Sequence, residues 1–212
     1  MATRERVENV RVHPGDASAG EIEILEERVV WENESMRFCV AAVTTREGPQ
    51  EMARIGHPDA MTDGVVVVPI DDDDRILLIR QFRHPVRMWL RELPRGGRRK
   101  EESPETTARR ELHEEIGYEA TDVLPLGRIA TDSGQQEGFP FLLAARVRKA
   151  GDAEPEQGEA IDGIFPYRYD ELVHMCERGE IVDSFTLAAA TRLRPHFRDG
   201  RFVYREDVVT FA

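Results

Sequence analysis

Cysteine is scarce in this chain. Cys39 and Cys176 are the only two among 212 residues, and they stand far apart without metal-ligand spacing. That argues against a disulfide framework or a thiolate zinc site, and two packing thiols in a reducing compartment are expected. Long apolar runs are missing too, and no stretch reaches the roughly 20 residues a helix needs to cross a bilayer. The opening MATRERVENVRVHPGDASAG has no apolar core, so a secretory signal is not expected and a cytoplasmic location is. Positive charge is in deficit: 29 Lys and Arg face 41 Asp and Glu, a net charge of −12. A nucleic-acid or anionic-membrane surface needs a basic face, so neither partner is expected. Small phosphorylated ligands stay open, because bound cations and a few arginines reverse the field locally.

What is present suffices for a core. Hydrophobic residues make up 40% of the chain, which is ordinary for one globular domain with a small appendage. EIEILEERVVWE and SMRFCVAAVTT, parted by Asn33-Glu34-Ser35, read as an antiparallel β arm. The arm is assigned to residues 1–60 and the main domain to 61–212, with 48–63 read as irregular. GVVVVPI and RILLIRQFR are aliphatic strands, and the four aspartates Asp71 to Asp74 between them form a solvated hairpin turn. WLRELP, DVLPLGRIATDSG, FPFLLAARV and IFPYR supply further strands. The acidic stretch from Asp152 to Glu159 reads as a surface connection. YDELVHMCERG and SFTLAAATRLRPHF read as helices, stopped by Gly179 and near Pro195. Short strands without regular βαβ alternation predict a mixed sheet in an α/β/α sandwich.

One helix carries chemistry. Ser103 suits an N-cap, Pro104 the first turn and Gly117 the left-handed position past the end. Ala108, Leu112 and Ile116 recur every four residues as a buried stripe. Glu111, Glu114 and Glu115 project from one face, with Glu111 and Glu115 at the core edge. Such a cluster is costly unless a cation neutralises it, and hard ions such as Mg²⁺ bind carboxylate oxygens together with substrate phosphates. The plainer alternative is a solvated helix whose glutamates pair with Arg109 and Arg110.

The segment from Gly96 to Tyr118 resembles the Nudix box, G-x5-E-x7-R-E-U-x-E-E-x-G-U, where U is bulky and apolar. Gly96, Glu102, Arg110, Glu111, Leu112, Glu114, Glu115 and Gly117 fall in register, and only Tyr118 departs from the usual aliphatic. The resemblance implies a Nudix-type fold and metal-dependent cleavage of a phosphoanhydride, with Mg²⁺ or Mn²⁺ as cofactor. It implies Glu111, Glu114, Glu115 and the Arg95 carbonyl as metal contacts, Glu102 as a supporting carboxylate, and Arg110 as the residue that orients the glutamates.

Outside the box, Arg80-Gln81-Phe82-Arg83 and ELPRG resemble the ADP-ribose pyrophosphatase branch. The implied substrate is a nucleoside diphosphate linked to a sugar, and the implied assembly is a homodimer joined through the arm. Another nucleotide sugar, or a catalytically silent nucleotide sensor, is the alternative. Arg80 and Arg83 are candidates for phosphate or sugar contact. They lie three apart, so at most one of them faces the site unless the strand ends between them, and Arg80 is the choice. Glu137, in a loop where relatives carry S-P-G-x-x-x-E, is the implied general base or water-orienting residue, with a box glutamate as the alternative base. Trp31 and Phe38 either stack a nucleobase or pack within the arm.

Overall fold

The computed structural model describes residues 15–59, 61–155 and 159–205. The expectation for residues 1–14 lies outside these. The chain divides into a smaller unit, from residues 1–60 with 132–138, and a larger one, from 61–131 with 139–210.

The smaller unit is an antiparallel sheet of β1 (Glu23–Glu32), β2 (Arg37–Thr45) and β3 (Gly48–Gly56), in that order. The β1–β2 turn forms because Asn33 Oδ1 accepts the Ser35 and Met36 amides at 3.0 and 2.8 Å. β3 corrects the irregular reading of residues 48–63. GPQEMARIG has no clean alternation of apolar residues, but β2 offers it an unbroken ladder from Thr45↔Gly48 to Arg37↔Gly56. Trp31 and Phe38, open between stacking and packing, are 50% and 38% exposed, so packing within the arm does not bury them.

The larger unit is a mixed sheet. Its strands are β4 (Met61–Ile70), β5 (Ile76–Arg83), β6 (Met88–Glu92), β7 (Arg95–Arg99), β8 (Tyr118–Arg128), β9 (Phe141–Lys149) and β10 (Ile161–Tyr167). They run β10-β5-β4-β9-β8, with β6 on the free side of β5 and β7 on β4. β4 and β9 pair in parallel, and the other pairs are antiparallel. Helix α1 (Pro104–Ile116) covers one face, and α2 (Tyr169–Glu177) and α3 (Ser184–Leu193) cover the other. That is the expected α/β/α sandwich.

The sequence explains why both faces are covered. Val65 and Val67 of β4 turn to Ala108, Leu112 and Ile116, while Val66, Val68 and Ile70 turn to Leu172, Ala189 and Leu193. A strand buried on both sides loses polar alternation and reads as a continuous aliphatic run. Burying Leu112 and Ile116 contributes about 1.5–3 kcal/mol each. Asp71 closes the β4–β5 hairpin by accepting the Asp73 and Arg75 amides, so the aspartates serve as a turn. A short pair, β11 (Phe197–Arg198) and β12 (Arg201–Phe202), follows α3. No described helix is long and apolar enough to cross a membrane.

The opening that matters lies beside β4. Its first half pairs with β7 up to Val66↔Arg95, its end touches β5 only at Ile70↔Ile76, and the Val67 amide between them goes to the Pro94 carbonyl at 2.9 Å. The sheet therefore splits where β6 hands over to β7. The glycine segment Arg95–Arg99 is strand β7, because the half-open edge of β4 takes up its backbone groups.

Candidate active site

The α1 boundaries follow local rules. Ser103 Oγ accepts the Thr106 amide at 3.1 Å, and Gly117 closes the helix at φ 71°. The last two turns then present Glu111, Glu114 and Glu115 toward β7.

Glu115 is 1% exposed and Glu111 5%. Glu115 Oε2 accepts the Arg95 amide at 3.1 Å, an amide available because the sheet splits there, while Oε1 is buried without a hydrogen-bond partner among the described residues. Burial pushes the Glu115 carboxyl up to about 9, helped by the charges of Glu159 and Glu111 and opposed by the Arg95 amide and by Arg83. Burial likewise raises Glu111 to about 7, with Arg110 opposing and Glu114 and Glu159 adding to the rise. Gly96 makes room for Glu111: a Cβ there would lie 1.9 Å from Glu111 Oε1.

Arg110 gathers the remaining acids. Its guanidinium reaches Glu111 Oε1 and Glu114 Oε2 at 2.8 Å, Glu102 at 3.4 Å and the Gly97 carbonyl at 2.8 Å. Burial opposes its charge, but these carboxylates outweigh burial and raise its pKa. Glu102 also accepts from the Thr107 hydroxyl at 2.8 Å. Arg110 and Glu102 thus meet within the acidic cluster.

A buried ionic chain fixes the β6–β7 junction. Glu92, 0% exposed, pairs with Arg83 and with Arg95 Nη2 at 3.2 Å. Arg95 Nη1 continues to Asp183 at 3.2 Å, and its guanidinium lies 4.7 Å above the Phe185 ring. Asp183 caps α3 through Thr186, whose hydroxyl accepts the Leu93 amide at 3.2 Å. Sequence reasoning missed Glu92 and Asp183. Their signal was an acid in ELPRG and an N-cap position, neither of which foretells a shared arginine.

The structure reverses the choice between Arg80 and Arg83. Ile79 packs on the α1 side and Leu78 on the other, so alternation sends Arg83 toward α1 and Arg80 away from it. Arg83 stabilises the Glu115 carboxylate electrostatically; Arg80 pairs with Asp162 at 2.6 Å and lies over Trp89 at 4.8 Å. Glu159 is the second omission. Assigned to a surface connection, it is half-buried, and its charge acts on both Glu111 and Glu115. Glu137 belongs to the smaller unit, where it pairs with Arg54 and accepts the His57 amide at 2.8 Å.

These donors suit a hard dication: carboxylate oxygens, one of them buried and unpaired among the described residues. Among the described residues no three His, Cys, Asp or Glu side chains are yet arranged to hold a metal ion, and Arg110 is the cation gathering Glu102, Glu111 and Glu114.

The NUDIX domain model matches residues 61–187. The methanol dehydrogenase activator of Bacillus methanolicus is 31% identical over 142 residues, spanning 66% of this chain and 74% of that protein. The ADP-ribose pyrophosphatase of Bacillus subtilis (strain 168) is 28% identical over 142 residues, with the same shares of 66% and 74%. Among solved structures, an ADP compounds hydrolase superposes with a TM-score of 0.70 at 19% identity, covering 82% of this chain and 92% of that one, which is a likeness of fold.

Proposed function

Because this chain belongs to the NUDIX family and is a Nudix hydrolase, we propose that it cleaves the diphosphate of an ADP-ribose-like nucleotide sugar, with Mg²⁺ or Mn²⁺, to a nucleoside monophosphate and a sugar phosphate. The observation that carries the reading is the buried, unpaired Glu115 oxygen beside Glu111, with the charges of Glu159 and Arg83 close by. The similarity to an ADP-ribose pyrophosphatase supports the substrate class.

Glu111, Glu114 and Glu115 would hold the ions, with Glu102 supporting and the Arg95 carbonyl available at the sheet split. When bound, the metal lowers the pKa of a water and stabilises charge on the phosphorus and leaving group. Arg83 draws a phosphate oxygen toward the carboxylates. A carboxylate of the larger unit takes the proton as water oxygen bonds to phosphorus and the bridging P–O bond breaks. Glu159 is a candidate for that role, since its charge acts on both Glu111 and Glu115.

A homodimer is part of the same reading. β1 is exposed along nearly its whole length and carries Leu25, Val29 and Trp31, and a second copy would cover that apolar strand. The test of function is hydrolysis of ADP-ribose, UDP- and GDP-sugars, dinucleoside polyphosphates and NADH with Mg²⁺ or Mn²⁺. Metal-dependent release of AMP and ribose 5-phosphate supports the reading. Preference for another nucleotide sugar redirects it, and no hydrolysis of any member defeats it.

A further inference from the structure

Arg80 sits on the far face of β5, yet its partner belongs to the segment that delivers Glu159. β10 pairs with β5 at Ile161↔Gln81 and resumes at Ile164↔Ile79, so β10 carries one extra residue there. Asp162 and Gly163 occupy this bulge. Bulges bend a strand and re-aim the side chains beside them. Just before it, the Ala160 carbonyl accepts the Phe82 amide at 2.9 Å. Ile161 and Ile164 pack against the α1 side of the sheet. Glu159 thus enters from a strand start that β5 grips through the Phe82 amide, the Gln81 pairing and the Arg80–Asp162 ion pair.

The third grip has a fixed direction. The Arg80 guanidinium lies 4.8 Å above the Trp89 ring, and Trp89 meets Phe82 edge-on with centroids 5.6 Å apart. A planar cation held over an indole cannot swing freely, so the fork stays aimed at Asp162. Both partners are largely solvent-exposed, with side-chain exposures of 41% and 59%, and exposed ion pairs add little to global stability. The pair is therefore suited to local alignment.

We infer that Arg80 is a positioning residue: through Asp162 it fixes the bulged start of β10 and so the placement of Glu159 just ahead of it, without touching the diphosphate. This rests on the proposed hydrolase reading for its kinetic readout, and on metal uptake for an independent one.

The test is a double-mutant cycle of Arg80→Ala and Glu159→Gln in the full chain, followed by kcat, KM, melting temperature and Mn²⁺ titration calorimetry. Arg80→Ala is expected to lower kcat about ten-fold, as slight misplacement of a reacting group does, with KM held within about two-fold. Its Mn²⁺ affinity falls while the melting temperature stays within about 2 °C. The double variant behaves like Glu159→Gln alone, because the arginine acts only through that glutamate. The charge swap Arg80→Asp with Asp162→Arg recovers part of kcat. A rise in KM at unchanged kcat makes Arg80 a substrate contact and overturns the inference. Additive losses, or no loss, overturn it as well. If the wild-type chain hydrolyses no phosphoanhydride but takes up Mn²⁺, the hydrolase reading fails and the calorimetric cycle alone decides for or against Arg80.

Discussion

The amide of Arg95 donates to one oxygen of Glu115 at 3.1 Å, and the other oxygen is buried without a partner. One hydrogen bond is poor compensation for a carboxylate that is 1% exposed. The buried carboxyl is therefore satisfied by a proton or by an added cation.

Glu115→Gln should show both sides of this trade. The neutral isostere removes the uncompensated charge, so the metal-free melting temperature holds or rises. Turnover falls by at least about 10²–10³, since an interaction with charge developing in the transition state is lost. Steady-state kinetics and thermal melts in EDTA read both. Near-normal turnover refutes the assignment.

pH carries the same information. Glu115 moves from its ordinary 4.5 to about 9, and Glu111 to about 7. Between those limits the native state holds more protons than the unfolded chain, so stability falls as pH rises. Their contribution is complete below 4.5 and is lost as pH climbs through about 7 and then 9. The melting temperature in EDTA should drop from pH 6 to pH 9, and the increment from Mg²⁺ should be larger at pH 8.5 than at pH 6. A metal-free melting temperature that rises over this range contradicts the assignment.

Gly96→Ala places a methyl where Glu111 now sits, 1.9 Å from its Oε1. Glu111 must move, at a cost of about 1–3 kcal/mol for overpacking. Turnover should fall at least about ten-fold with the fold retained. Circular dichroism beside kinetics separates this from unfolding.

Arg83→Ala leaves Glu92 buried with Arg95 as its remaining arginine. Losing one partner of a buried pair costs about 3 kcal/mol, and Glu92→Gln in the same chain should restore part of it. Urea melts of the single and double variants measure this.

Trp31→Glu tests the arm. Light scattering coupled to size exclusion should find a dimer for the wild-type chain and a monomer for the variant, because an added charge cannot be buried against a second β1. An unchanged mass shows that β1 is not the contact.

Much of this was legible in the residues. The stripe Ala108, Leu112, Ile116 and the caps Ser103 and Gly117 gave α1 nearly to the residue, since helix periodicity and capping are local properties. Strands β3 and β7 were not legible: GPQEMARIG and RGGRR have weak strand character, and it is the open edges of β2 and β4 that make them strands. Arg80 and Arg83 are neighbours in one motif, and which one faces α1 depends on which side of β5 the helix covers. Glu159 was hidden for the same reason. Nothing local separates it from the acids before it, and only the pairing of Ile161 with Gln81 brings it to the carboxylates.

The most direct test is Mn²⁺ titration calorimetry of the wild-type chain and Glu115→Gln at pH 7.5, in two buffers of different ionisation enthalpy. The wild-type chain should take up Mn²⁺ and release protons as Glu115 and Glu111 ionise, and Glu115→Gln should bind far more weakly with less proton release. Absence of Mn²⁺ uptake by the wild-type chain, with or without ADP-ribose, or equal binding by Glu115→Gln, would contradict the account.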